Sequence, residues 1–181
     1  MPALAVWSPE DAVLGAVAPL ALGAAAGTAL VIDLDPNGPR YPGELTLAGL
    51  VVEGPTRSDL SPQRRGVAVV QNGGIGPGEA EDVLRALVEG WPAVVLRLPP
   101  DHAGGDGAIP VLPLVPGGLL RRHPGPAVYQ RSGWRVRAPD SGIVLPRPSA
   151  GTISALLQGR LPSPTNRWVR AWRDVWESPW A

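Results

Sequence analysis

The stretch ALVIDLDP, residues 29–36, decides the fold class of this chain. Ala29 to Leu34 form a run that is apolar on both faces, as the buried strands of parallel sheets tend to be. Asp35 to Gly38 follow as a turn, because Asp, Pro, Asn and Gly all favour chain reversal. The stretch therefore predicts a strand of a parallel sheet that ends in a tight turn.

The residues before this strand predict a first strand and a first helix. Ala3 to Trp7 have the apolar character of a short buried strand. Ser8 to Asp11 (SPED) then predict a helix start, with serine at the N-cap, proline at the first helical position and acids in the first turn. We expect this helix to run to about Ala25, where Gly27 closes it.

The residues after it continue the alternation of strands and helices. The predicted segments are a helix at Leu45–Glu53, a strand at Val67–Val70, a helix at Glu79–Glu89, and strands at Ala93–Leu98 and Ile109–Val115. Such alternation indicates a parallel sheet with right-handed crossovers. We therefore predict a doubly wound, mainly parallel α/β fold.

Beyond Pro116 the pattern loosens. Two short strands are predicted within Ala127–Arg137, a short helix at Ser149–Gln158 and a last helix at Thr165–Glu177. Prolines break the chain just before that helix, so we expect residues 1–160 to form the α/β domain and residues 161–181 an amphipathic tail.

Composition excludes several classes of function. The chain has 181 residues with 16 basic and 16 acidic side chains, so nothing in its net charge points to nucleic acid. All of the basic residues are arginine, and cysteine is absent, which excludes lysine chemistry, disulfides and thiolate metal sites. A GC-rich bacterial genome would give this bias. Residues 1–27 lack the basic region of a signal peptide and carry acids, so we expect a cytoplasmic protein.

The order of these elements resembles the ParA/MinD family of deviant Walker ATPases, which have a P-loop NTPase fold. The residues that carry the likeness are the strand and turn at 31–36, the LTLAGL segment at 45–50, the strand and loop at 66–74, and the strand at 92–100. The likeness covers about residues 1–115, and its fold is the doubly wound sheet already predicted.

The chain departs from this family at the place of the phosphate-binding loop. The family has a glycine-rich loop with a lysine between its first strand and first helix, and backbone N–H groups there surround the phosphates. Ser8, Pro9, Glu10 and Asp11 stand in that place here. Pro9 lacks an N–H donor, and the two acids would repel a triphosphate. The resemblance therefore implies a degenerate Walker A site that binds no nucleotide.

A second departure is Arg97, which stands where the family has an aspartate that helps to hold Mg²⁺. An arginine would repel the metal. Asp35 matches the family's switch I aspartate, or is simply the turn-forming residue before Pro36. Because a buried arginine needs a partner, we predict that Arg97 is held by Asp33 or Asp35.

Two loops contain further candidate site residues. The glycine-rich loop at 72–78 (NGGIGPG) is either an anion-binding loop or a plain connection between a strand and a helix. Asp101, His102 and Asp106 lie close in sequence, with His123 as the other histidine, but convergent metal ligands are not evident. We expect a solvated loop there. Arg64-Arg65 and Arg121-Arg122 are expected to be surface charge, and no G-x-S-x-G nucleophile elbow is present.

The tail has a one-sided distribution of apolar residues. A helical period places five of them on one side: Trp168, Val169, Trp172, Val175 and Trp176. Such a face could pack on its own domain, dock a partner protein or a second copy, or lie at a membrane surface as MinD-like tails do. Asp174 and Glu177 weaken the membrane alternative. We predict a partner-binding stripe.

Taken together, these features predict a non-catalytic ParA/MinD-like pseudo-ATPase that acts as a protein-interaction module without a cofactor or metal. The resemblance implies a process such as cell division, chromosome positioning or pilus assembly. The alternative is an enzyme of doubly wound fold with its site at the carboxyl ends of the strands, near Ser8, Asp35, residues 71–74 and residues 97–101.

Overall fold

The computed structural model describes residues 3–62, 65–102, 107–118, 125–163 and 165–180. Its strands are β1 (Ala3–Trp7), β2 (Thr28–Asp33), β3 (Gly66–Val70), β4 (Val94–Arg97), β5 (Ile109–Leu114), β6 (Val128–Arg131) and β7 (Ile143–Leu145). Its helices are α1 (Ala12–Ala26), α2 (Leu47–Glu53), α3 (Glu81–Gly90), α4 (Ala150–Leu157), α5 (Arg167–Ala171) and α6 (Arg173–Glu177), with a 3-10 turn at Pro77–Ala80 before α3.

The strands form one parallel sheet in the order β3-β2-β4-β1-β5-β6-β7. Helices α1, α4, α5 and α6 pack on one face, and α2 and α3 pack on the other. The predicted doubly wound α/β fold is therefore confirmed. Its central strands are apolar on both faces because helices cover both.

Helix α1 is buried along nearly its whole length, from Leu14 to Ala24. The sheet covers one side of it, and α4, α5 and α6 lie on the other. Its start differs from the prediction, because Asp11 rather than Ser8 is the N-cap and its side chain accepts a hydrogen bond from the N–H of Leu14 at 2.9 Å. Ser8 instead stays buried at the end of β1.

The second half of the sheet differs from the prediction of two strands within 127–137. Only β6 lies there, and the chain then turns away at Ser132, whose hydroxyl donates to the carbonyl of Leu114 and accepts the N–H of Trp134. The next strand, β7, begins at Ile143, after Gly142 with a φ of 99°. A side chain at Gly142 would collide with the backbone of Ala127, so this turn depends on glycine.

The tail forms two short helices that meet at Trp172, rather than one helix from Thr165 to Glu177. Asn166 caps α5 by accepting the N–H groups of Trp168 and Val169. Because the chain bends at Trp172, both short helices pack against α1.

Candidate functional site

A cavity of about 310 Å³ opens at the carboxyl edge of the sheet, where β1, β2 and β4 end. Strand order reverses at this point, because β1 connects through α1 to one side of the sheet while β5 lies on its other side. Ligands of doubly wound folds bind at such switch points. Ser8, Asp35, Gly38 and Arg97 line the cavity together with the loop at 98–101.

Arg97 is the centre of this site, and 1% of its side chain is exposed. Its Nη1 donates to Oδ2 of Asp33 at 3.1 Å and to the carbonyl of Pro39 at 2.7 Å. Its Nη2 donates to Oδ2 of Asp35 at 2.8 Å. The prediction that Arg97 is held by Asp33 or Asp35 is confirmed, and both carboxylates take part.

The sheet register explains the pairing. Asp33 and Arg97 are the last residues of neighbouring parallel strands and lie directly opposite each other. Two residues in register on adjacent strands point to the same face. The long arginine side chain therefore reaches Asp33 across the strand pair and Asp35 in the turn beyond.

Each oxygen of both carboxylates accepts at least one hydrogen bond from the protein itself. Oδ1 of Asp33 accepts the N–H of Asp35, and Oδ1 of Asp35 accepts the N–H groups of Asn37 and Gly38. Their remaining oxygens bind Arg97. Among the described residues, no group of three or more His, Cys, Asp or Glu side chains is placed to hold a metal ion.

Burial has the largest effect on the protonation of Asp33 and of Tyr41. It raises the pKa of Asp33 to about 6, against the lowering effect of the Arg97 guanidinium. The aromatic ring of Tyr41 lies 5.3 Å from Cζ of Arg97, a cation–π distance. Burial also raises the pKa of Tyr41, whose hydroxyl donates to the carbonyl of Ala16 at 2.7 Å.

The connection at residues 8–11 occupies the place where a phosphate-binding loop would lie. The Asp11 carboxylate already accepts a hydrogen bond from the first turn of α1, so an acid of the chain occupies the anion position at this helix N-terminus. The Ser8 hydroxyl is buried and has no hydrogen-bond partner among the described residues. It faces the cavity together with Arg97, whose Nε also lacks such a partner.

The loop at 72–78 is closed by its own side chain. Oδ1 of Asn72 accepts the N–H groups of Gly74 and Ile75, and its Nδ2 donates to the carbonyl of Ile75. The N–H groups of Gly74 and Ile75 are therefore already occupied. Of the two alternatives for this loop, the plain connection matches the geometry.

The other loop candidates contribute less to the site. Asp101 borders the cavity, while the ring of His102 makes an edge contact with Trp7 at a centroid distance of 6.0 Å. Arg65 is exposed, as expected of surface charge. The other candidates lie outside the described residues: Arg64, Asp106, Arg121, Arg122 and His123.

The structure corrects the prediction of a partner-binding stripe on the tail. Four of its five residues are at most 2% exposed: Trp168, Val169, Trp172 and Val175. The fifth, Trp176, is partly buried and donates through Nε1 to the carbonyl of Leu22 in α1. The stripe covers the outer side of α1 because that helix is apolar all round. Its apolar face is therefore part of the core and is not free for a partner or a membrane.

Three contributors to the Arg97 cluster were not identified from the sequence. These are the carbonyl of Pro39, the ring of Tyr41 and the backbone of Gly38. A side chain on Gly38 would lie 1.8 Å from Nη2 of Arg97, so glycine is needed for this close approach. The sequence signal for these three residues is the turn that follows β2. That turn does not show that the chain then passes over Arg97.

No protein-family model matches this sequence, and a comparison with curated proteins finds no significant match. Among the described residues, no helix is both long and apolar enough to cross a membrane.

Proposed function

We propose that this chain is a non-catalytic ParA/MinD-like pseudo-ATPase that acts by binding other proteins. The proposal rests on the resemblance of residues 1–115 and, above all, on one observation. Arg97 stands buried between Asp33 and Asp35 at the switch point of the sheet. A fixed internal cation that lies between both carboxylates repels a Mg²⁺ ion at this place.

The connection at residues 8–11 supports the same conclusion for the phosphates. A nucleotide needs free backbone N–H groups at the start of the helix. Asp11 engages one of these groups, Pro9 has none, and Glu10 adds a second negative charge. Cell division, chromosome positioning and pilus assembly are proposed as processes by analogy of fold alone. A cytoplasmic location stays a prediction.

Thermal unfolding with a panel of nucleotides tests the proposal. A ligand that binds only the native state raises the melting temperature. We expect ATP, ADP and GTP, each with Mg²⁺, to leave the melting temperature unchanged, and phosphate release from ATP to stay at the level of buffer. A shift that depends on both nucleotide and Mg²⁺ would contradict the proposal.

An enzyme with its site at the same edge is the second candidate function. The observation that favours it is the cavity with the unpartnered hydroxyl of Ser8. A serine nucleophile needs an adjacent base, and no described base bonds to Ser8. Labelling by a fluorophosphonate, absent in Ser8→Ala, would favour the enzyme, whereas an unlabelled wild type would exclude a serine hydrolase.

A further inference from the structure

Four arginines line a cleft of about 610 Å³ beside the edge of the sheet. Arg131 ends β6, Arg147 follows β7, and Arg167 and Arg170 stand three residues apart on α5, a spacing that places side chains on the same side of a helix. All four are exposed. The cleft is separate from the cavity at Arg97.

None of these four guanidinium groups forms an ion pair with a described residue. Asp174 is the acidic residue that lines the cleft. Like charges that face one cleft repel each other, and an anionic ligand would relieve this repulsion. Arginine also presents a planar fork that binds a carboxylate through two hydrogen bonds. The charges therefore favour an acidic ligand.

The cleft also has an apolar part and lies beside the edge strand of the described sheet. Val144, Pro146 and Ala171 line it between the arginines. Strand β7 is the last strand of the described sheet, and the N–H of Ile143 donates to the carbonyl of Ala127, the residue before β6, at 3.0 Å. Successive residues of a strand face opposite neighbours, so the backbone of Val144 faces away from β6. An extended segment laid beside β7 would meet both features.

Trp134 is a large exposed apolar residue that follows β6 three positions after Arg131. Its side chain is 66% exposed, and it follows Gly133, where an added Cβ would lie 3.6 Å from Nη1 of Arg147. Tryptophan and arginine are the side chains most enriched where binding energy concentrates in protein interfaces. An exposed tryptophan whose neighbour in the chain lies near Arg147 thus favours a protein ligand.

We propose that this arginine cleft docks an extended acidic segment of a partner protein, in which carboxylates alternate with apolar residues. Carboxylates bind the four guanidinium groups, and the apolar side chains contact Val144 and Trp134. A nucleic acid fits the chain less well, because 16 basic and 16 acidic residues give no long-range attraction for a polyanion. The inference rests on the proposed function as a protein-binding module.

Fluorescence anisotropy of the full chain with a labelled decapeptide of alternating glutamate and valine tests the inference. At low salt we expect saturable binding, at least about tenfold tighter than that of the same peptide with glutamine for glutamate. Arg167→Ala with Arg170→Ala should weaken binding about tenfold or more. Arg57→Ala with Arg160→Ala removes two exposed arginines away from the cleft and should change it less than about twofold. Trp134→Ala should weaken it severalfold.

Three results would overturn the assignment of the cleft. The first is no saturable binding of the peptide by the wild type, and the second is an equal loss in both double variants. The third is displacement of the peptide by an oligothymidylate, tripolyphosphate or vesicles of phosphatidylglycerol at lower concentrations than by unlabelled peptide. Nucleotide binding would contradict the proposed function, whether or not the peptide binds. If neither nucleotide nor peptide binds, only the inference about the arginine cleft is contradicted.

Discussion

Nη2 of Arg97 lies 2.8 Å from Oδ2 of Asp35, and both side chains are buried. The resemblance to the ParA/MinD family implies an aspartate at position 97 that helps to hold Mg²⁺, and it matches Asp35 with the switch I aspartate. Here one of them is replaced by a cation that binds the other. In the proposed function the departures at Arg97 and at residues 8–11 act together, because Arg97 pairs with the acids at the end of β2 and Asp11 caps α1.

Removing this arginine should cost much stability. Arg97→Ala leaves Asp33 and Asp35 buried without their cation, so we expect the free energy of unfolding to fall by about 3 kcal/mol or more. Urea unfolding followed by tryptophan fluorescence measures it. Arg85→Ala is the matched control, because the pairs of Arg85 with Glu81 and Asp82 are exposed and should contribute less than about 1 kcal/mol. Equal losses in the two variants would contradict the role of Arg97.

The close approach of Gly38 to this ion pair can be tested by a single methyl group. In Gly38→Ala the new Cβ would lie 1.8 Å from Nη2 of Arg97 and 2.1 Å from Oδ2 of Asp35. The pair must then shift, and we expect a loss of about 1 to 3 kcal/mol in the free energy of unfolding. Gly78→Ala serves as control, because nothing lies within 4 Å of its added Cβ. A Gly38→Ala variant as stable as this control would show that the pair is not tightly packed.

Asp33 should make stability depend on pH between about 4 and 6. Burial raises its pKa from 3.8 to about 6, so the folded protein keeps a proton that the unfolded chain has released in this window. Stability from this group therefore falls as pH rises, by up to about 3 kcal/mol. The measurement is the free energy of unfolding of wild type minus that of Asp33→Asn at several pH values. A difference that rises with pH would mean that pairing with Arg97 outweighs burial.

Substituting a tryptophan of the tail should lower stability, whereas substituting the tryptophan of the loop after β6 should not. Trp172 is fully buried and packs edge-on against Trp168 at a centroid distance of 5.8 Å. Trp172→Ala should lower the free energy of unfolding by about 3 to 5 kcal/mol. Trp134→Ala removes an exposed ring and should leave stability within about 0.5 kcal/mol. If Trp172→Ala unfolds at the same denaturant concentration as wild type, the tail does not belong to the core.

The sequence predicted the centre of the sheet well because its signals are local and strong. The apolar run that forms β2 identifies a strand covered on both faces. The pairing of Asp33 with Arg97 was also predictable, because two predicted strands carry these charged residues near their ends and a buried arginine requires an acid nearby. The predicted partner of Arg97 is correct because parallel strands bring their carboxyl ends to the same edge of the sheet.

Sequence-based predictions were wrong where two residues give equally good local signals and tertiary packing decides between them. Ser8 and Asp11 are both good N-caps, and only the burial of Ser8 at the end of β1 leaves Asp11 to cap α1. Strand β7 has three residues, too few to show a period. The arginine cleft was not found at all, because its residues come from three separate elements of the chain.

The tail is a second case in which the sequence predicted a feature but not its packing partner. Its period correctly identified one apolar face around Trp172. A period cannot say what covers that face. The deciding information lay in α1, whose residues from Ala16 to Ala24 are apolar all round and need a second layer beyond the sheet.

Isothermal titration of the full chain with ATP and Mg²⁺ tests the central claim most directly. The Asp11 cap places an acid at the start of α1, and Arg97 is an internal cation between the two nearby carboxylates, so we expect both phosphates and Mg²⁺ to be repelled. We predict no saturable heat up to about 1 mM nucleotide, which corresponds to less than about 4 kcal/mol of binding free energy. A dissociation constant in the micromolar range that requires Mg²⁺ would contradict the account.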